Sequence, residues 1–279
     1  MTIPSRPRRG WLLEEFPYVA VGSGPTPLLV VPGIGDAMFD GEYSRSVAWL
    51  TRTFFREFLD EYTIYMVSRP RGLEAGTSIS DMADDYARVL GAIGPASVVG
   101  VSMGGLIAQD LALEAPALVD RLVIAVSGTR IAPAVRPRVK RHRRYALEGE
   151  FSRIQTELVR ETFTGFRRRL YPWLSRAFSW VRPPYPADPE DLVVSIDAVL
   201  DFDSRDRLGE VDARTLVIGG TEDAFFPEDI LRETHTKLPD AQLAMFRGAR
   251  HGPFLERKTA FESWVTRFLA GEVDGVTSR

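Results

Sequence analysis

Ser97-Val98-Val99-Gly100-Val101-Ser102-Met103-Gly104-Gly105-Leu106-Ile107-Ala108 is the stretch on which the reading of the fold turns. A β-branched apolar run ends at a Gly-x-Ser-x-Gly element, and a helical pattern starts directly after it. The chemistry explains the spacing. A serine hydroxyl can attack only if it stands clear of the sheet on a sharp strand-to-helix turn. A Cβ two residues before or after it would crowd its backbone, so Gly100 and Gly104 meet the demand around Ser102. Gly105 leaves further room where the new helix packs. The N-terminus of that helix points backbone N–H groups at any oxyanion developing on a bound carbonyl.

Framed by its strand and helix, this element resembles the nucleophile turn of the α/β-hydrolase fold family, in its serine, esterase- and lipase-like branch. The resemblance covers nearly the whole chain apart from a middle insert. It implies a mostly parallel central sheet with helices on both faces, and a serine hydrolase working through a Ser-Asp-His triad in that chain order.

The rest of the chain reads in the same sense. Two early antiparallel strands are expected between Trp11 and Val21. Pro27–Pro32 and Tyr62–Val67 are continuous apolar runs, the mark of parallel strands covered on both faces. Apolar spacing predicts a helix over Val47–Asp60 and another opening near Ser80, with Ser80 as its N-cap. Strands follow at Arg121–Ser127, Arg214–Gly220 and Ala241–Phe246, and a final helix at about Glu256–Leu269. The order β-α-β-α requires a parallel sheet sandwiched by helices. The last residues, Gly271–Arg279, read as a loose tail.

Between Arg130 and Asp203 prolines multiply and no strand-like run occurs. The expected organisation is therefore a core of residues 1–129 and 204–279, with 130–203 inserted as a helical, basic lid. From Arg130 to Pro186 there are 14 Lys and Arg against 4 Asp and Glu, which leaves 21 against 34 for the remainder. Three readings of this basic stretch stand: a solvated face balanced by acidic patches on the core, recognition of an anionic substrate group, or contact with an anionic membrane surface. Its aromatic residues (Phe151, Phe163, Phe166, Tyr171, Trp173, Phe178, Trp180) are expected to line an apolar acyl pocket, with the arginines facing out.

A serine hydroxyl needs a base within hydrogen-bond reach and an acid behind that base. The chain has three histidines. His142 sits among cations in Lys140-Arg141-His142-Arg143-Arg144, and His235 lies on a helical segment. His251, in a Gly-containing loop after the last strand, is where the resemblance puts the base. Asp223, at a strand end after Gly219, matches the family's acid position. Glu222 points away from the same partner, and Asp203 is the outside candidate. The resemblance also implies an oxyanion hole made by the Met103 N–H and a second N–H from the Pro32-Gly33-Ile34 loop. That loop usually carries a histidine where Pro32 stands; the Ile34 N–H takes the role, or the segment is an ordinary strand-end turn.

Several classes are excluded or unsupported. The chain has no cysteine, so disulfides and thiolate catalysis are out. A net charge of −3 argues against a nucleic-acid binder. Neither dinucleotide nor phosphate-loop spacing occurs, no metal-ligand spacing stands out, and no cofactor is implied. Asp84-Asp85 reads as a solvated helix face. The basic N-terminus lacks an apolar segment behind it, so the expected setting is cytoplasmic; no oligomeric state is read from the sequence. The leading function is hydrolysis of a carboxylic ester with a small or medium acyl group. C–C, thioester or lactone hydrolysis, perhydrolysis, or a non-catalytic ligand receptor on the same fold are the alternatives.

Overall fold

The structure is a computed structural model that describes residues 6–181 and 184–272 and the backbone of the pair 277–278; for residues 178–181 it describes the backbone alone. The side chains of Phe178 and Trp180 therefore lie outside the described residues.

The strands are β1 (Arg8–Leu12), β2 (Phe16–Val21), β3 (Thr26–Val31), β4 (Tyr62–Val67), β5 (Ala96–Val101), β6 (Val119–Ala125), β7 (Arg214–Gly220), β8 (Ala241–Phe246) and β9 (Thr277–Ser278). The helices are α1 (Arg45–Phe54), α2 (Ile79–Ile93), α3 (Met103–Glu114), α4 (Arg136–Leu147), α5 (Phe151–Thr162), α6 (Gly165–Val181), α7 (Glu190–Asp201), α8 (Glu228–Lys237), the single turn α9 (Pro253–Glu256) and α10 (Lys258–Leu269). Among the described residues the strands form one sheet in the order β1-β2-β4-β3-β5-β6-β7-β8-β9. β1 and β2 are antiparallel, as is β2 against β4; every later pairing is parallel.

The apolar runs explain that arrangement. Leu29, Val31, Val98, Leu122, Ile124 and Val217 face a layer that includes α2, α3 and α8. The alternating residues Leu28, Val30, Val99, Val123, Leu216 and Ile218 face a second layer with α1 and α10. Strands buried on both faces must be apolar throughout, which is what the sequence shows.

Local differences from the sequence expectation have local causes. The first helix ends at Phe54 and is followed by a 3₁₀ turn at Arg56–Phe58. The N-cap of α2 is Ser78, not Ser80. Ser78 Oγ accepts the Asp81 N–H at 3.1 Å, and the Asp81 carboxylate accepts the Ser78 N–H at 2.8 Å. An acid at the third helical position completes this reciprocal pair, so Ser78 wins over a serine already inside the helix. β6 closes at Ala125 because Val126 turns to φ 46°. The expected loose tail instead contributes β9, parallel to β8.

Between β6 and β7 the chain forms α4, α5, α6 and α7, with no strand among the described residues. α5 packs on α6 and α4, and α4 packs on α7. Among the described residues no helix is long and apolar enough to cross a membrane.

Candidate active site

The turn at Ser102 is strained. It sits at φ 57°, ψ −121°, between β5 and the first residue of α3, a conformation that costs a non-glycine residue on the order of 1–3 kcal/mol. Its N–H is held by the Ala125 carbonyl at 2.9 Å, which keeps it registered to β6. The flanking glycines are needed for a different close approach from the one expected. A Cβ on Gly100 would lie 2.3 Å from the Gly104 carbonyl oxygen, and one on Gly104 would lie 2.1 Å from that of Val31. A strand that turns straight into a helix lays the helix's first turn over the strand ends, so the crowding is between α3, β5 and β3. Gly105 is needed, as expected, for packing: its Cβ would meet Ser127 at 2.5 Å.

His251 and Asp223 converge on Ser102. His251 Nε2 is 2.9 Å from Ser102 Oγ, and His251 Nδ1 is 2.7 Å from Asp223 Oδ2. The other Asp223 oxygen accepts the N–H groups of Phe225 at 2.8 Å and Phe226 at 3.2 Å, so the buried carboxylate is satisfied on both sides. Gly220 lets β7 end against the histidine loop, since its Cβ would lie 2.3 Å from the Ala249 carbonyl oxygen. Phe225 meets the imidazole edge-on at 5.1 Å between centroids. The histidine loop is also tied to α5: the His251 N–H donates to the Glu161 carbonyl at 3.2 Å, and the Glu161 carboxylate pairs with Arg250 and with Arg138.

Ile34 opens a 3₁₀ turn, Ile34–Met38, capped by Gly33, which has no side chain to offer, and Met103 opens α3, where the Ser102 side chain makes no cap bond. Both residues line the same cavity as Ser102. The turn is braced from below by a charge cluster that sequence reasoning missed. Asp36 accepts Ser68 Oγ at 2.6 Å, the Arg69 N–H at 3.2 Å and Arg71 Nη1 at 3.1 Å. Arg69, 1% exposed, lies between Asp36 and the carbonyls of Pro32 and Gly33. An aspartate just after Gly33-Ile34-Gly35, with two arginines after the next strand, was the available signal.

The cavity holds about 300 Å³, at the small end for ligand sites. Its outer wall is aliphatic, built from Ile131, Val139, Ile154, Leu158, Ile196 and Val199. Among the described residues none of the insert's aromatic side chains lines it, which corrects the expectation for those residues. Phe166 and Trp173 are 74% and 66% exposed, and Phe163 packs edge-on against Tyr171. The reason is helix order: α5 faces the site, while most of the aromatics fall on α6 behind it. The aromatic lining that exists comes from the core, through Phe225, Phe226 and Phe254.

The other candidates fall elsewhere. Asp203 pairs with Arg205, which holds its carboxyl below the usual range. His235 lies on α8. His142, one of a basic run in the sequence, is 4% exposed and lines the cavity. Val135, Val139, His142 and Ala146, all buried, follow helical spacing, and that periodicity could have found it. Asp84 is exposed, and Asp85 pairs with Arg88. Among the described residues no group of acidic or histidine side chains could hold a metal ion.

A parallel sheet with helices on both faces and a serine on its strand-to-helix turn defines a class, and comparison agrees. Residues 28–264 match the model of the alpha/beta hydrolase family; the chain belongs to that family and is a hydrolase. It is 27% identical over 197 residues to a pimeloyl-acyl-carrier-protein methyl ester esterase of Neisseria meningitidis, a match spanning 66% of this chain and 60% of that protein. The esterase of the same description from Photobacterium profundum is 26% identical, over 75% of this chain and 84% of its own. An alpha/beta hydrolase enzyme from a Medee basin deep-sea metagenome library has a similar structure, with a TM-score of 0.78 at 16% identity, covering 98% of this chain and 100% of the other.

Proposed function

We propose that the protein hydrolyses carboxylic esters of small or medium acyl groups through Ser102, His251 and Asp223. The observation that carries this reading is the unbroken hydrogen-bond relay from Asp223 through His251 to Ser102 Oγ, at the wall of a largely apolar cavity. Ser102 Oγ attacks the ester carbonyl while His251 Nε2 takes its proton. The tetrahedral oxyanion is held by the N–H groups of Met103 and Ile34, each donor worth about 10²–10³ in rate. His251 returns the proton to the departing alkoxide, leaving an acyl-serine. Water, deprotonated by the same imidazole, then releases the acid. Asp223 fixes the imidazole tautomer and stabilises the imidazolium. Residues 130–203 act as a cap whose aliphatic side chains size the acyl site.

The test is turnover of p-nitrophenyl esters of increasing acyl length by the wild type and by Ser102→Ala, with folding checked by circular dichroism. The expected result is hydrolysis by the wild type, strongest for short and medium acyl groups, and a loss of about 10³-fold or more in the variant. Equal activity in both proteins would remove Ser102 from the chemistry.

A second reading concerns α6. Phe166, Leu170, Trp173 and Ala177 recur at helical spacing, with Arg169 and Arg176 along one flank and Arg167 along the other. These arginines are exposed and have no ion-pair partner among the described residues, whereas Arg138, Arg141 and Arg143 of α4 are each paired with an acid. An outward apolar stripe edged by free cations fits an anionic membrane surface. The balanced-face reading accounts for α4 and leaves α6 to this role.

A further inference from the structure

α4 carries seven basic residues counting His142, and only His142 turns inward. Of the side chains lining the cavity, Ser102 and His251 are committed to each other, and Thr162 Oγ1 donates to the Leu158 carbonyl at 2.9 Å. His142 is the remaining polar group in an otherwise apolar wall.

Its hydrogen bonding decides what it offers. His142 Nε2 lies 2.8 Å from Glu157 Oε2, and the same oxygen receives Arg141 Nη2 at 3.0 Å. These two partners hold the Glu157 carboxyl below its usual range despite its partial burial, so it is ionised. Burial holds His142 below its ordinary range, with Arg141 and Arg138 adding to the effect against the pull of Glu157, so the ring is neutral at neutral pH. A neutral imidazole has one ring proton, and a carboxylate at Nε2 draws it there. Nδ1 keeps a bare lone pair. It has no protein partner among the described residues, and it is not among the polar atoms sealed from solvent. An acceptor that solvent still reaches, set in an otherwise apolar wall and without a protein partner, is open to a ligand that supplies a donor.

We infer that His142 Nδ1 is a substrate-recognition acceptor, which selects esters carrying a neutral hydrogen-bond donor, a hydroxyl or an amide N–H, on the part of the substrate that lies along the cap wall. A carboxylate at that point brings no donor and faces both the lone pair and Glu157 behind the ring, so acid-terminated substrates are rejected. No arginine or lysine among the described residues lines the cavity, and Arg138, Arg141 and Arg143 are engaged with Glu161, Glu157 and Asp197.

The inference deepens the proposed ester hydrolysis and rests on it, so its test has an arm without chemistry. In the first arm, kcat/KM is measured for p-nitrophenyl esters of ω-hydroxy acids of six to ten carbons, beside the unsubstituted and ω-carboxy acids of equal length. Wild type should prefer one of the hydroxy esters by about tenfold over its unsubstituted partner, the worth of one hydrogen bond. The ω-carboxy ester should be the poorest. His142→Phe should abolish the hydroxy preference and His142→Gln, which keeps an acceptor, should restore part of it. In the second arm, calorimetry compares binding of α,ω-diols and the matching primary alcohols to the resting protein. Diols should bind about tenfold tighter to wild type and no tighter to His142→Phe. An unchanged hydroxy-to-unsubstituted ratio in His142→Phe, or a diol advantage absent from wild type, overturns the inference. No ester turnover with an intact diol advantage would instead overturn the ester reading and leave His142 as the acceptor. Should His142→Phe fail to fold, the His142→Gln ratio alone decides, since a structural role gives no reason for the two substrates to differ.

Discussion

Asp223 makes bonds of two kinds, which separate its structural role from its proposed chemical one. Oδ1 takes the Phe225 and Phe226 N–H groups and so closes the turn after β7; Oδ2 faces His251 Nδ1. Asn at this position keeps the first acceptor when its amide oxygen faces the turn. Its NH₂ then meets Nδ1 as a donor, and the imidazole must place its proton on Nε2, where it cannot take one from Ser102. Asp223→Asn is therefore expected to fold normally by circular dichroism and to lose about 10⁴-fold in kcat on p-nitrophenyl esters. A loss of less than tenfold would show that another acid orients the base. Residue identity also explains Glu222, whose backbone pairs with Ala249 while its longer side chain is not in the relay.

Among the elements, α4 and α5 are joined by the His142–Glu157 pair, and this makes their packing sensitive to acid. The folded-state pKa of His142 lies below its ordinary 6.5. As pH falls below that value the unfolded chain takes up a proton that the folded protein refuses, so the stability held above it is lost. Glu157 lies below its ordinary 4.5, and its contribution is held above that value and lost as pH falls through its folded-state pKa. Asp110 and Asp191, raised by burial, act in the opposite sense near the carboxylate range. The clean measurement is therefore differential. Between about pH 7 and pH 5 the urea midpoint of wild type should drop more than that of His142→Phe, which has no proton to take up there. Equal drops would mean that the ring is not desolvated.

Along the chain, basic charge concentrates between Arg130 and Pro186 while the remainder is acidic, and α4 and α6, which carry most of that basic charge, are used differently. The arginines Arg138, Arg141 and Arg143 of α4 are bound to neighbouring acids; those of α6 are exposed beside Trp173 and Phe166. The protein should co-sediment with vesicles containing anionic phospholipid and not with purely zwitterionic ones, and the binding should weaken with salt. Trp173→Ala together with Arg169→Gln should reduce it at least tenfold while leaving p-nitrophenyl ester turnover in solution unchanged. Equal sedimentation with both lipids would remove the membrane role and leave an acidic protein surface as the occupant to test.

The parts of this protein that depend on local physics were legible in the chain. Continuous apolar strands such as Leu28–Val31 and Val98–Val99 require a sheet covered on both faces, and a serine between Gly100 and Gly104 requires a tight strand-to-helix turn. The choice of His251 and Asp223 came from the family resemblance, and the structure brings the two side chains within hydrogen-bond reach of each other and of Ser102. What only the tertiary structure decided was the face each helix of the insert presents. α5 turns Ile154 and Leu158 to the cavity, α6 leaves Phe166 and Trp173 exposed, and His142 leaves its basic run to enter the wall. The Asp36, Arg69 and Arg71 brace beneath Ile34 joins residues more than thirty apart in sequence. Periodicity fixes which residues share a helix face, but the direction of that face is set by which neighbour buries it, and that neighbour is chosen by packing between distant segments.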